Sequence, residues 1–130
     1  MINLRIQESA EMYLETILVL SRRQPNVRSI DIAGELGYKK SSVSVAMKNL
    51  RENGYIKMDS DGFITLTEKG KEIAETMYER HTLIARWLVG LGVDEDTALE
   101  DACRIEHVIS TKTFEALKEH FNNWKDGINH

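Results

Sequence analysis

Residues 29–66 read SIDIAGELGYKKSSVSVAMKNLRENGYIKMDSDGFITL, and their pattern decides the fold. Ile32, Ala33 and Leu36 fall on one side of a short helix that Ser29 can cap and Gly37 can end. Ser41 or Ser42 can cap the next helix, whose inner face is centred on Val43 and shared by Ala46, Met47 and Leu50. Asn53-Gly54 stops that helix. Two short β-type runs follow, at residues 55–59 and 63–66, around the turn Ser60-Asp61-Gly62. Two short helices joined at Gly37 and followed by a hairpin predict a winged helix-turn-helix.

Outward from this stretch the chain reads as helix. Upstream, Ser9 can cap a helix to about residue 22, with Ala10, Tyr13, Leu14, Ile17, Leu18 and Ser21 on one face, before Pro25-Asn26 breaks it. Downstream, Thr67 can cap a long helix with Glu68 in its first turn, running to about residue 89 and ended by Gly90 and Gly92. Residues 94–109 and 110–123 predict two more helices, the last lined on one side by Phe114, Leu117, Phe121 and Trp124. That stripe could be ordinary core, but so many large apolar residues near the end of a short chain make a dimer interface the expectation. The expected architecture is mostly α, with a winged helix-turn-helix domain over residues 1–70 and a helical domain over 71–130.

Composition narrows the class. With 130 residues, 42% of them hydrophobic and 29% charged, the chain reads as a soluble globular protein of one domain or two small ones. No apolar run approaches the roughly 18 residues needed to cross a bilayer. The N-terminus lacks a basic segment followed by an apolar one, so no secretory signal is expected. Cys103 stands alone, which excludes an intramolecular disulfide and suits a reducing, cytoplasmic setting. The net charge of −4 conceals an asymmetry. From Arg22 to Lys57 eight basic residues face three acidic ones, a local balance of +5; from residue 71 onward seven face twelve, a balance of −5.

The basic segment fits a DNA reader. The outer face of the third helix carries Ser41, Ser42, Ser44, Val45 and Lys48, preceded by Lys39 and Lys40, with Arg28 ahead of the second helix. Hydroxyls and a helix N-terminus bind phosphates or base edges, lysines neutralise phosphates, and valine meets a thymine methyl. A solvated surface and a protein-docking module are the alternatives, and Glu52 is unfavourable to DNA. The basic run and the wing favour double-stranded DNA.

Three helices carry donors that packing alone accounts for one at a time but less readily together. Met12 and Val19 lie nearly opposite the first helix's core stripe, beside Glu8 and Glu15. On the fifth helix the core stripe is Ala98, Ala102, Ile105 and Ile109, while Cys103, Glu106 and His107 share a neighbouring arc at i, i+3 and i+4. A thiolate, a carboxylate and an imidazole so placed can ligate a transition metal. A buried cysteine, a surface glutamate and a capping histidine describe the same spacing. His81 sits amid the apolar stripe of the long helix, with Met77, Ile84, Ala85 and Leu88, as a core histidine or a ligand.

These residues together resemble a known family. Residues 11–15 (EMYLE), the helix-turn-helix, residues 66–70 (LTEKG), Arg80-His81 and residues 101–107 (DACRIEH) are similar, in order, to the diphtheria toxin repressor family of iron- and manganese-dependent transcriptional repressors. The resemblance covers nearly the whole chain and implies a homodimeric repressor of metal homeostasis, not an enzyme. It makes residues 71–130 a metal-binding and dimerisation domain. In the iron-responsive branch it implies a principal site from Met12, Cys103, Glu106 and His107, with the long-helix histidine at His81. The manganese branch has a glutamate where Glu15 stands, but aspartate at the Met12 position and glutamate at the Cys103 position. Longer iron-responsive members use a glutamate at the Ala85 position and a histidine at the Leu99 position for an ancillary site, and carry an SH3-like domain. Neither is expected here; a second site from Glu15, His81 and the shared cysteine or glutamate is the better expectation. Soft sulfur ligands disfavour Mn²⁺ and suit Fe²⁺, Co²⁺, Ni²⁺ or Zn²⁺. Availability makes Fe²⁺ the expected ion, with Mn²⁺ second and Co²⁺, Ni²⁺ or Zn²⁺ as substitutes in vitro.

The expected mechanism is a metal bound by donors of both halves, which fixes each reader relative to the dimer axis. The chief rival is a metal-independent winged-helix regulator responding to another signal. An enzyme with Cys103 as nucleophile and His107 as base lacks an orienting third residue or a Gly-rich oxyanion loop. A purely structural interaction module is the remaining alternative.

Overall fold

The computed structural model describes residues 4–128, with the side chains of residues 9–122. Of the residues singled out above, the side chains of Glu8 and Trp124 lie outside the described ones. The elements are α1 (Leu4–Arg23), α2 (Ser29–Leu36), α3 (Lys40–Glu52), β1 (Ile56–Met58), β2 (Ile64–Leu66), α4 (Glu68–Gly90), α5 (Glu95–Glu106) and α6 (Thr111–Ile128). They form two compact units, Met1–Met77 and Tyr78–His130, with the boundary inside α4. Among the described residues no helix is long and apolar enough to cross a membrane.

The first unit is a winged helix-turn-helix. Its core draws Leu14 and Ile17 from α1, Ile32 from α2, Val43 and Met47 from α3, Ile56 from β1 and Ile64 from β2, all buried. Every element contributes at its own period, 3.6 on the helices and two on the strands, so one interior fixes all five. Gly37 ends α2 in the left-handed conformation, φ 71°, and its N–H and that of Tyr38 both return to the Ala33 carbonyl. The hairpin is antiparallel, pairing Ile56 with Leu66, Lys57 with Thr65 and Met58 with Ile64. The Asp59 carboxylate closes its turn by accepting from the N–H groups of Asp61 and Phe63, both at 2.9 Å.

Several helix starts differ from the sequence reading. Ser9 lies inside α1, which begins at Leu4. Arg28, not Ser29, holds the N-cap position of α2, and its N–H donates to the Asp31 carboxylate at 2.9 Å. Lys39, rather than Ser41 or Ser42, precedes α3, and no side chain caps that end.

The second unit packs Ile84 and Ala85 of α4, Ala102 of α5 and Phe114 of α6 into a smaller core, flanked by Leu83, Leu88, Ile105 and Ile109. Asp94 caps α5 by accepting from the Thr97 N–H at 3.0 Å. Ser110 does the same for α6 through Thr113 at 3.1 Å. The α5 helix stops at Glu106, with His107 as its C-cap, three residues earlier than expected. Phe114 and Phe121 are buried within the chain. Those two members of the α6 stripe therefore belong to the core rather than to a subunit interface.

Candidate metal centre and nucleic-acid interface

The second unit gathers His81, Cys103 and Glu106. One donor atom from each lies within 4.8 Å of the others. His81 comes from the middle of α4, while Cys103 and Glu106, one turn apart on α5, face it. Glu106 is fully buried, which corrects the surface-glutamate alternative. His81 Nδ1 stands 3.4 Å from its Oε2, and His107 Nε2 3.3 Å from its Oε1. Neither carboxylate oxygen receives a hydrogen bond from a described residue. Burying a carboxylate without hydrogen bonds costs several kcal/mol unless a cation answers it.

The cysteine is prepared in the same way. Hydrogen bonds from the imidazoles of His107 and His81 bring the Cys103 thiol down to about 6, against the opposing effect of burial. At neutral pH it is held as the thiolate, the form that ligates metals. A thiolate, a buried carboxylate and imidazoles converging on one point fit a divalent transition metal.

A residue whose role the sequence reading did not assign supports this cluster. Arg80 is buried, and its guanidinium donates to the Glu106 backbone carbonyl at 3.3 Å and to the Thr111 hydroxyl at 3.0 Å. It also stacks 5.2 Å from the centre of the Phe114 ring. The last carbonyls of a helix have no partner within it. Arg80 takes one of them and pins the end of α5 from which Glu106 and His107 project. The signal was available: an arginine three residues after Met77 and four before Ile84 sits in an apolar stripe.

Met12 and Glu15 are partly buried on α1 of the first unit, where the Tyr38 hydroxyl donates to the Met12 sulfur at 3.7 Å. Of the ancillary positions of longer relatives, Ala85 is buried in the core of the second unit and Leu99 is exposed. Both line an open groove of about 690 Å³ together with His81, Arg86 and Phe121. Neither side chain offers a metal donor.

On the first unit the outer face of α3 is open to solvent. Lys39, Lys40, Ser41, Ser42, Ser44 and Lys48 are exposed, and Val45 is 61% exposed. Arg28 is exposed too, but its guanidinium lies 4.6 Å above the Phe63 ring, so it stands with the wing. Lys57, on β1, is exposed on the same hairpin. The missing side-chain cap leaves the leading N–H groups of α3 open to an anion.

Fold and site define a winged helix-turn-helix regulator with a metal-binding second unit. Residues 5–63 match the family described as iron dependent repressor, N-terminal DNA binding domain. Residues 67–126 match the iron dependent repressor, metal binding and dimerisation domain. An uncharacterized HTH-type transcriptional regulator of Methanocaldococcus jannaschii is 37% identical over 125 residues, covering 95% of this chain and 100% of that protein. The transcriptional regulator MntR of Escherichia coli O6:H1 is 32% identical over 112 residues, covering 86% and 72%. A solved manganese-dependent transcriptional repressor in complex with manganese is 28% identical with a TM-score of 0.80, over 87% of this chain and 52% of that one. The manganese regulator SloR is 30% identical with a TM-score of 0.78, over 87% and 53%. The chain spans about half the length of these two solved chains. It belongs to the iron-dependent repressor family, whose members are metal-dependent transcriptional repressors rather than enzymes.

Proposed function

We propose that this protein acts in the cytoplasm as a homodimeric repressor of metal-homeostasis genes, gripping operator DNA when loaded with Fe²⁺. The observation that carries the reading is the fully buried Glu106 carboxylate, unanswered by any hydrogen bond among the described residues and flanked by His81, Cys103 and His107. The proposed ligands are those four, completed by Met12 and Glu15 as the resemblance implies. Bound metal supplies the positive charge that this donor set requires. Residues 71–130 serve as the sensing half and residues 1–70 as the reader, with Arg28, Lys39, Lys40, Ser41, Ser42, Ser44, Val45 and Lys48 contacting DNA. Coupling of about 1–3 kcal/mol between the two corresponds to a 5- to 150-fold gain in operator affinity.

Sulfur donors favour Fe²⁺ over Mn²⁺. Manganese is the second reading, supported by the similarity to MntR and to a manganese-dependent repressor. Co²⁺, Ni²⁺ and Zn²⁺ should substitute in vitro. Paired variants separate sensing from reading. Glu106→Ala is expected to remain a folded dimer and to lose metal-stimulated DNA binding. Lys48→Ala is expected to weaken DNA binding and lower its salt dependence by about one counterion, with metal affinity unchanged. Retention of the full metal response by Glu106→Ala would sink the assignment.

A further inference from the structure

Tyr38 follows the helix-ending Gly37 and precedes Lys39, where the chain turns into α3. Its side chain is 43% exposed but not loose. The ring meets that of buried Tyr13 edge-on, with centroids 6.1 Å apart and planes at 79°. This packing aims the hydroxyl at the Met12 sulfur, to which it donates at 3.7 Å. A thioether is a weak acceptor, and a phenol open to water has stronger ones available. The bond is therefore maintained by how the ring is held, and a better acceptor can displace it.

We propose that Tyr38 is a positioning residue that exchanges partners with the state of the switch, its hydroxyl moving from the Met12 sulfur to a DNA phosphate at the start of α3. The inference rests on the reading of Met12 as a metal ligand. A thioether that gives one lone pair to a cation becomes electron-poor, and its other lone pair accepts a hydrogen bond less well. The Tyr38 hydroxyl is then released, on the residue that directly precedes Lys39, Lys40 and a helix end with no side-chain cap. That is where a phosphate is best received. Both partners of the exchange lie in the first unit, so metal occupancy at Met12 is felt at the DNA-reading turn through a single side chain.

Tyr38→Phe keeps the ring and its edge contact and removes only the donor. Without the competing hydrogen bond, Met12 should be given up more readily, and Co²⁺ affinity of the full chain should rise about two- to tenfold, the ordinary worth of one hydrogen bond. At saturating Co²⁺, DNA affinity should fall by a similar factor. Damage to the fold would weaken both, so the opposite signs are the signature. Unchanged or weaker Co²⁺ binding by Tyr38→Phe overturns the proposal, as does tighter Co²⁺ binding with DNA affinity intact. Met12→Ala, titrated alongside, tells the two failures apart. If it weakens Co²⁺ binding while Tyr38→Phe does not tighten it, the ligand reading stands and the exchange falls. If it leaves Co²⁺ binding untouched, both fall.

Discussion

Gly70 is buried where β2 runs into α4, and a β-carbon there would lie 2.0 Å from the Tyr55 carbonyl oxygen. That oxygen also accepts the Thr67 N–H at 3.1 Å, while the Thr67 hydroxyl donates to the Gly54 carbonyl at 2.7 Å and accepts from the Gly70 N–H at 3.2 Å. Lys69 closes the join from outside, its ammonium 4.3 Å above the Tyr55 ring. The start of α4 is therefore seated directly on backbone at this join. Gly70→Ala should destabilise the protein by about 3 kcal/mol, the upper range for overpacking, in urea denaturation. Gly37→Ala, where a β-carbon meets nothing but φ is 71°, should cost only about 1 kcal/mol. Equal costs would mean that the Tyr55 carbonyl yields freely. Both glycines could be located in the sequence, but only Gly37 announced its reason. A close approach to a carbonyl fifteen residues earlier leaves no local signature.

At the scale of elements, the second unit depends on how the end of α5 is held. Periodicity makes Ala98, Ala102, Ile105 and Ile109 its inward face; Ala98 and Ala102 are fully buried, but the next fully buried residue is Glu106. Hydrophobic periodicity cannot foresee a carboxylate in a core position, because the rule it breaks is the one on which the method rests. The i, i+3, i+4 spacing sets Cys103, Glu106 and His107 on an arc beside the core stripe, but Glu106 takes a core position itself. Their approach to His81 needed the packing of α4 against α5, which no local pattern contains. Arg80 fixes that end through two separate acceptors, and a lysine cannot present the same fork. Arg80→Lys should leave the fold intact and lower metal affinity about 10- to 100-fold, as is usual when a group that orients ligands is lost. Titration with Co²⁺ in the absence of DNA checks this; unchanged affinity would reduce Arg80 to a packing role. The winged helix-turn-helix was more legible, since Gly37, Asn53-Gly54 and the wing turn mark its joints in sequence. Its helix starts were not: α1 begins at Leu4, and Arg28 and Lys39 hold the positions before α2 and α3 in place of the serines that the pattern offers.

For the whole molecule, the split of charge is the feature that composition hides. The net charge of −4 combines a +5 segment from Arg22 to Lys57 and a −5 segment from residue 71 onward, with the rest of the chain at −4. The lysines of the first half suit it to DNA, whereas the acidic half, with a buried carboxylate and a thiolate, is suited to cations. Occupancy of the second should govern the grip of the first. This dependence is tested most directly by measuring affinity for genomic DNA fragments under anaerobic conditions, first in EDTA and then with Fe²⁺ or Mn²⁺. Tight, sequence-selective binding should occur only with metal, 5- to 150-fold above the EDTA value and stronger with Fe²⁺ than with Mn²⁺. Equal affinity in EDTA would leave a winged helix that reads DNA without a metal switch.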